Sequence, residues 1–479
     1  MKTEPTNPSA RLSAKLRKAL PALAVRGGGL GLQIAMSIVI ARLLGAEGMG
    51  LYTLYVTWLV LFADLIGIGM PVYALRTVAA LKAQGQGMAV GAFLWRALGL
   101  VFLIGAALML LPWFFAAPMA AVVADDASLA PALKVAAAGA LLFAGMRILA
   151  EALKGAGATQ RALFAESAII PLVVLGLLPL LVARGWLNGE HLLWLHVLSV
   201  ALALCLTLAF WLAAKPRDDD QNIDRGDGRL PQAAKSRAYD QNRSEKPALL
   251  AARPQDAKPP SPRVISSALP PLWGGTLLNM AYVSLPILIL PQFANVDELG
   301  LFGAAFRLIN LVTVILVTLA AIFGPQFAAA YALKDAAGLR RLLKRSQQFS
   351  LILYGPVFIA FTVFAAPVLG LFGEEFRAAA MLLAIMALGQ LVNAATGLVG
   401  YLLNMMHRER TEFLILLVTG VLMTAAMIVG GMQAGVLGVT FAYSGGLMLK
   451  NLLSLVFSLK ALRDLEKAKA PLSESEFQP

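Results

Sequence analysis

The sequence predicts an all-α polytopic membrane protein of twelve transmembrane helices in two six-helix lobes, with both termini in the cytoplasm. Three observations carry this reading. Of the 479 residues 59% are hydrophobic and only 14% are charged, a balance that belongs in lipid. Apolar runs recur along the chain at the length that crosses a hydrocarbon core, about 20 helical residues for about 30 Å. The chain also echoes itself: RLLGAEGMGLYTLY around Gly50 returns as FANVDELGLFGAAF around Gly300, each in a short turn between two apolar runs. Phe115-Ala116-Ala117-Pro118 returns at nearly the same offset as Phe364-Ala365-Ala366-Pro367. Internal duplication is a common signature of secondary transporters, which rock one repeat against the other around a site at mid-membrane.

In order along the chain, residues 1–21 form a basic amphipathic segment with Leu12, Leu16 and Leu20 on one helical face and Lys15 and Lys18 on the others. That pattern fits a helix lying on the anionic inner leaflet, and a plain positively charged flank fits it equally well. Residues 22–214 hold the first lobe, with spans starting near Ala22, Leu51, Val90, Leu129, Phe164 and Leu192. Residues 215–265 are polar, mixed in charge and rich in proline, too poor in apolar surface to offset the entropy of ordering, and read as a disordered cytoplasmic linker. Residues 266–462 hold the second lobe, with spans starting near Ala268, Leu301, Phe349, Ala378, Phe413 and Val436, and 463–479 form a cytoplasmic tail. The runs lack the two-residue alternation of barrel strands, so helices are the form that satisfies every backbone amide in lipid.

Orientation follows from the basic residues between spans. Arg11 to Lys18, Arg76 with Lys82, Lys154 with Arg161, Arg340 to Arg345, Arg408 with Arg410, and Lys460 to Lys469 fall on one side. The intervening turns carry Glu47, Asp125 with Asp126, Glu190, Asp297 with Glu298, and Glu374 with Glu375. The alternation places the basic loops inside and accounts for most of the net charge of +13, leaving nucleic-acid binding without a recognition motif to support it.

The catalytic inventory is short. One cysteine, Cys205, read as buried in the sixth span, and three scattered histidines make neither a metal site nor a thiol mechanism. No Walker A pattern is present, and the short outward turns offer no folded domain for sugar chemistry, so an enzyme is not expected.

The remaining candidates are polar residues inside the spans, where a charge costs about 2.5–3.5 kcal/mol at the helix centre and tends to face a cavity. Asp64, deep in the second span before Gly67, Gly69 and Pro71, is a candidate cation or proton site, a partner for a cavity arginine, or one half of a structural pair with Arg26 or Arg76. Arg307 has Asn310 on the same helical face and a guanidinium suited to bidentate phosphate binding, unless it extends to the outer headgroups. Arg26 and Arg96 are further cavity candidates nearer the cytoplasmic ends, where extension to the inner headgroups is the default alternative. Gln33, Asn279, Gln390 and Asn393 are mid-span amides suited to sugar hydroxyls or to bonding between helices. No cofactor or metal is expected.

The stretch IVIARLLGAEGMGLYTLYVTWLVLFADLIGIGMPVYALR resembles the opening helix pair of the polysaccharide transporter family, the Wzx-type oligosaccharide flippases. The second half is similar in GLFGAAFRL, in the FGP close of the eighth span, and in VLGLFGEEFRAAAMLLAIMALGQ. The resemblance implies the V-shaped architecture of the multidrug/oligosaccharidyl-lipid/polysaccharide (MOP) exporters, MATE transporters included. It implies a bacterial inner-membrane protein that flips undecaprenyl-diphosphate-linked oligosaccharides for O-antigen, capsule or exopolysaccharide synthesis, alongside membrane lipids, a polymerase and other export machinery. A proton, sodium ion or the membrane potential would drive the step. A small-molecule or drug:cation antiporter of the same superfamily is the alternative, and its lumen would be dominated by acidic and aromatic residues. Two features depart from the family pattern: the long central linker, and Gly67-Ile68-Gly69 where a plain Asp-Leu-Gly is usual.

The charge alternation gives a direct expectation. In intact cells a cysteine placed at Asp297 reacts with an impermeant thiol reagent and one at Gln241 does not; labelling at Gln241 contradicts the orientation.

Overall fold

A run of 60 residues assigned to one helix cannot cross a membrane straight, and the backbone shows how it is accommodated. The computed structural model describes residues 8–67, 69–83, 87–124, 129–214 and 282–467, which are overwhelmingly helical and contain no strand. The first group comprises α1 (Pro8–Gly67), α2 (Met70–Ala83), α3 (Gly87–Phe114), α4 (Ala116–Ala124), α5 (Ala130–Gly155), α6 (Thr159–Ser167), α7 (Ile169–Ala183) and α8 (Gly189–Ala214). The second comprises α9 (Tyr282–Gln292), α10 (Val296–Ala332), α11 (Ala336–Thr362), α12 (Ala365–Leu369), α13 (Ala380–Thr396), α14 (Val399–Met405) and α15 (Glu409–Lys467). Counting stretches joined across short breaks, eight helices among the described residues are long and apolar enough to span a membrane.

Two of the eight are hairpins. In α1 the chain passes through Gly45 at φ 67°, a left-handed conformation that glycine adopts without a Cβ penalty. The Tyr52 hydroxyl then lies 3.9 Å from the Met36 sulfur, 16 residues away, where a straight helix would separate them by about 24 Å. In α15 the reversal falls at Ala434 and Gly435, the latter at φ 52°. Ser454 there donates to Glu412 across 2.8 Å, although 42 residues of straight helix would span about 63 Å. Both reversals fall in turns expected between spans.

The duplicated motifs occupy matching places. Phe115 and Phe364 each sit at a helix break, immediately before the short helices α4 and α12. The expected weakness after Asp64 is present as well: α1 ends at Gly67 and α2 begins at Met70, with Gly69 at φ 69°. The seventh expected span lies outside the described residues up to its last stretch, α9, as do the linker and Asn279. The N-terminal segment continues into α1 from Pro8, and its side chains lie outside the described set. Cys205 differs from expectation: it is exposed on the outward face of α8 rather than buried, because the mean apolarity of that helix does not reveal which face packs.

Within the first group α5 is central, packing on α1, α2, α3, α6 and α8. Its alanines and glycines permit close approach: a Cβ on Gly139 would meet Leu59 at 2.5 Å, and one on Gly155 would meet the Leu75 carbonyl at 2.6 Å. Lipid supplies no hydrophobic drive between apolar helices, so such close packing is what binds them. In the second group α13 plays the same part against α10, α11 and α15.

The two groups meet chiefly along α1 and α10. The contact is made by the duplicated motif itself: a Cβ on Gly50 would collide with the Val296 carbonyl, and one on Gly300 would collide with the Ala46 carbonyl. One turn further along, a Cβ on Gly303 would meet Thr53 Oγ1 at 2.5 Å. Around this crossing Arg42 Nε donates to the Leu371 carbonyl at 2.7 Å, and α4 touches the last turn of α9. The groups are therefore joined at the end that holds Gly45. Overpacking a tight contact costs about 1–3 kcal/mol, and backbone on both sides leaves little room to relax. Gly50→Leu is expected to lower the thermal midpoint of the purified protein clearly; an unchanged midpoint contradicts the crossing.

Candidate functional site

Immediately beneath the crossing the helix surfaces separate around a cavity of about 250 Å³. Two helical stripes build its walls. On α10, Gly303, Arg307, Asn310 and Leu311 continue the face of Gly300, and on α1, Leu30, Gln33, Ile34 and Ser37 form the facing row. The second arm of α1 adds Thr53, Val56 and Thr57, and α9 adds Ile287. The lining thus draws on both helix groups. Among the described residues it contains one charge, the Arg307 guanidinium, and no acidic residue.

Several contacts fix that guanidinium. Arg307 Nη1 donates to Ser37 Oγ at 2.9 Å, and Ser37 spends its own proton on the Gln33 carbonyl at 2.8 Å, which leaves its lone pairs facing the arginine. The guanidinium carbon lies 4.8 Å from the centre of the Tyr52 ring, a cation–π position. Behind Tyr52 the ring of His196 packs edge-on at 5.5 Å, and Tyr55 meets His196 Nδ1 at 3.1 Å. Among the described residues no carboxylate pairs with Arg307. Its Nε is buried with no hydrogen-bond partner, as is Thr53 Oγ1. An uncompensated guanidinium with an unused donor, beside hydroxyls and amides in a small cavity, is chemically suited to an anionic group that also carries hydroxyls.

Of the residues singled out from sequence, Arg307, Asn310 and Gln33 come together here. Arg26 extends the Leu30–Gln33–Ser37 stripe by a further turn away from the crossing, half-buried. The others are not brought to this cavity. Arg96 is exposed and lines a separate groove between α2 and α3. Gln390 is buried within the second group, and Asn393 Nδ2 donates to its Oε1 at 2.9 Å. Asp64 is buried and paired with Arg147 of α5, a partner 83 residues away that was not among those considered for it. Sequence reading also passed over Ser37, Tyr52, Thr53 and Thr57. The first is recoverable from the α1 stripe, four residues beyond Gln33.

Residues 270–381 match the model of a family described as polysaccharide biosynthesis protein. A comparison with curated protein sequences returns no match. Among solved structures, a multidrug resistance MATE family transporter of the MOP superfamily, in an inward-facing conformation, is similar with a TM-score of 0.71 at 14% identity, over 94% of this chain and 100% of its own. A MOP superfamily transporter from Pyrococcus furiosus, described as having a binding pocket of reverse polarity that suggests a different function, has a TM-score of 0.62 at 15% identity, over 97% and 100%. A MATE protein in a straight conformation has a TM-score of 0.59 at 15% identity, over 95% and 97%. The chain has the MOP-exporter fold. The polysaccharide-biosynthesis match over residues 270–381 and the long apolar helices agree with a multi-pass membrane protein and with the resemblance read from the sequence.

Proposed function

We propose that this MOP-type protein flips a lipid-diphosphate-linked oligosaccharide across the bacterial inner membrane. The observation that carries the reading is Arg307, an arginine without a carboxylate partner among the described residues, held by Ser37 and Tyr52 in a cavity walled by both helix groups. A diphosphate supplies the missing counter-charge, and Asn310, Gln33, Thr53 and Thr57 supply donors and acceptors for sugar hydroxyls. Arg26, further along the same face of α1, would meet the headgroup as it approaches. The lipid chain stays in the bilayer while the headgroup passes between the groups. Joined at the Gly45 end, which the basic loops place outside, the molecule rests with its cavity available to the cytoplasmic side.

The lining argues against the cation antiporter alternative, since its only charge among the described residues repels cationic cargo. Asp64, the candidate for ion coupling, is balanced by Arg147 away from this cavity. A coupling role there would require the pair to separate during the cycle.

The test is transport of a labelled lipid-linked oligosaccharide in proteoliposomes. A hydrogen bond to a charged group is worth about 1.5–3 kcal/mol, so losing the guanidinium should weaken headgroup binding about 10- to 100-fold. Arg307→Ala is expected to abolish flipping while Arg307→Lys keeps part of it, because an ammonium preserves the charge without the paired donors. Wild-type transport by Arg307→Ala removes the residue from the site and the reading with it.

A further inference from the structure

A second cavity, of about 280 Å³, opens between α2 and α3, away from the crossing of α1 and α10. Its floor and walls are apolar, including Met70, Leu81, Phe93 and Leu100, and three polar groups stand in them: Tyr73, Thr77 and Arg96. Tyr73 is 7% exposed, its ring packs on Phe93 at 5.7 Å, and its hydroxyl is buried without a hydrogen-bond partner. Arg96 is exposed and pairs with no carboxylate among the described residues. The rim of the groove on α3 faces outward from the helix bundle, with Trp95 57% and Leu103 73% exposed, so the opening is lateral, toward the hydrocarbon. An apolar groove with a free guanidinium and an orphaned hydroxyl, open to lipid, is built for an amphiphile rather than for a soluble molecule.

The depth of the guanidinium selects the amphiphile. Arg96 lies nine residues into α3, about 14 Å from the end that the basic loops place in the cytoplasm. Its Cα–Cβ bond tilts toward that end, as in any helix, so the guanidinium extends toward the inner headgroup layer, with Arg76 and Lys82 of α2 on the same side of the membrane. A phosphate on Arg96 therefore belongs to an inner-leaflet lipid whose chain runs into the groove past Phe93 and Leu100.

We infer that the groove between α2 and α3 is a binding site for an anionic glycerophospholipid of the cytoplasmic leaflet, with Arg96 holding its phosphate and Tyr73 donating to its ester or glycerol oxygens. The site is separate from the Arg307 cavity and does not rest on what that cavity transports; it rests on the orientation given by the basic loops.

Native mass spectrometry of the full-length protein, released from detergent after incubation with an equimolar mixture of phosphatidylglycerol, phosphatidylethanolamine and a polyprenyl phosphate, tests the assignment. Wild type is expected to retain phosphatidylglycerol in preference to phosphatidylethanolamine, while any polyprenyl phosphate held at the Arg307 cavity is unaffected by changes in the groove. Arg96→Ala is expected to lower that retention about tenfold, the value of one charge-assisted hydrogen bond, and Tyr73→Phe is expected to lower it less. Ala92→Trp, which fills the groove from its exposed rim and leaves both polar residues in place, should also release the lipid. Equal retention of phosphatidylglycerol and phosphatidylethanolamine, retention of polyprenyl phosphate that falls in Arg96→Ala and Ala92→Trp, or wild-type retention of phosphatidylglycerol by both variants overturns the inference. Transport by Arg307 variants has no bearing on any of these outcomes, so the two proposals fail independently.

Discussion

The interface between the two helix groups depends on one steric constraint, the absence of side chains at Gly50 and Gly300. Each glycine lies against backbone of the opposite helix, so α1 and α10 touch without intervening side chains. That contact sets the register of everything beneath it. Arg307 lies two helical turns past Gly300 on the same face, and the hairpin at Gly45 brings Ser37 and Tyr52, from opposite arms of α1, to the point where its guanidinium arrives. A slip of one residue along the crossing would rotate Arg307 by about 100° and remove it from the cavity. Glycine at the crossing is thus a condition of the site as much as of the packing.

The second constraint is electrostatic. An arginine inside a span is costly, and two other sets of intramembrane charges show the usual remedy: Asp64 meets Arg147, and Lys450 meets Glu412 at 2.8 Å with Ser454 adding a hydrogen bond. Arg307 is handled differently. Ser37 and the face of Tyr52 stabilise it partly, and Nε remains without a partner. A charge left partly uncompensated beside a cavity is poised to gain from an anionic ligand, because the ligand relieves a desolvation cost that the empty site bears. The same logic applies on a smaller scale to the Tyr73 hydroxyl in the lateral groove.

Much of this was legible in the sequence because lipid leaves the chain few choices. Apolar runs must be helical, basic loops must alternate, and a duplicated turn such as that around Gly50 and Gly300 must occupy equivalent places, here in direct contact. Arg307, Gln33 and Asn310 were identifiable as intramembrane polar residues at helical spacing. The pairing of Asp64 with Arg147 was not, since it joins helices 83 residues apart and spacing along one helix carries no information about it. Tyr52 reads as an ordinary aromatic until the hairpin at Gly45 places it under a guanidinium. For Arg96, Gln390 and Asn393 the sequence left cavity and structural roles both open, because composition gives depth in the membrane but not the direction a helix faces.

The central claim is that Arg307 holds an anionic headgroup. Equilibrium binding of a short-chain polyprenyl diphosphate to the purified protein tests it most directly, comparing wild type with Arg307→Gln, which keeps hydrogen-bonding capacity and removes the charge. The account predicts binding that weakens about tenfold or more in the variant and falls with added salt in wild type alone. Equal affinity for the two proteins, with the same salt dependence, would contradict it.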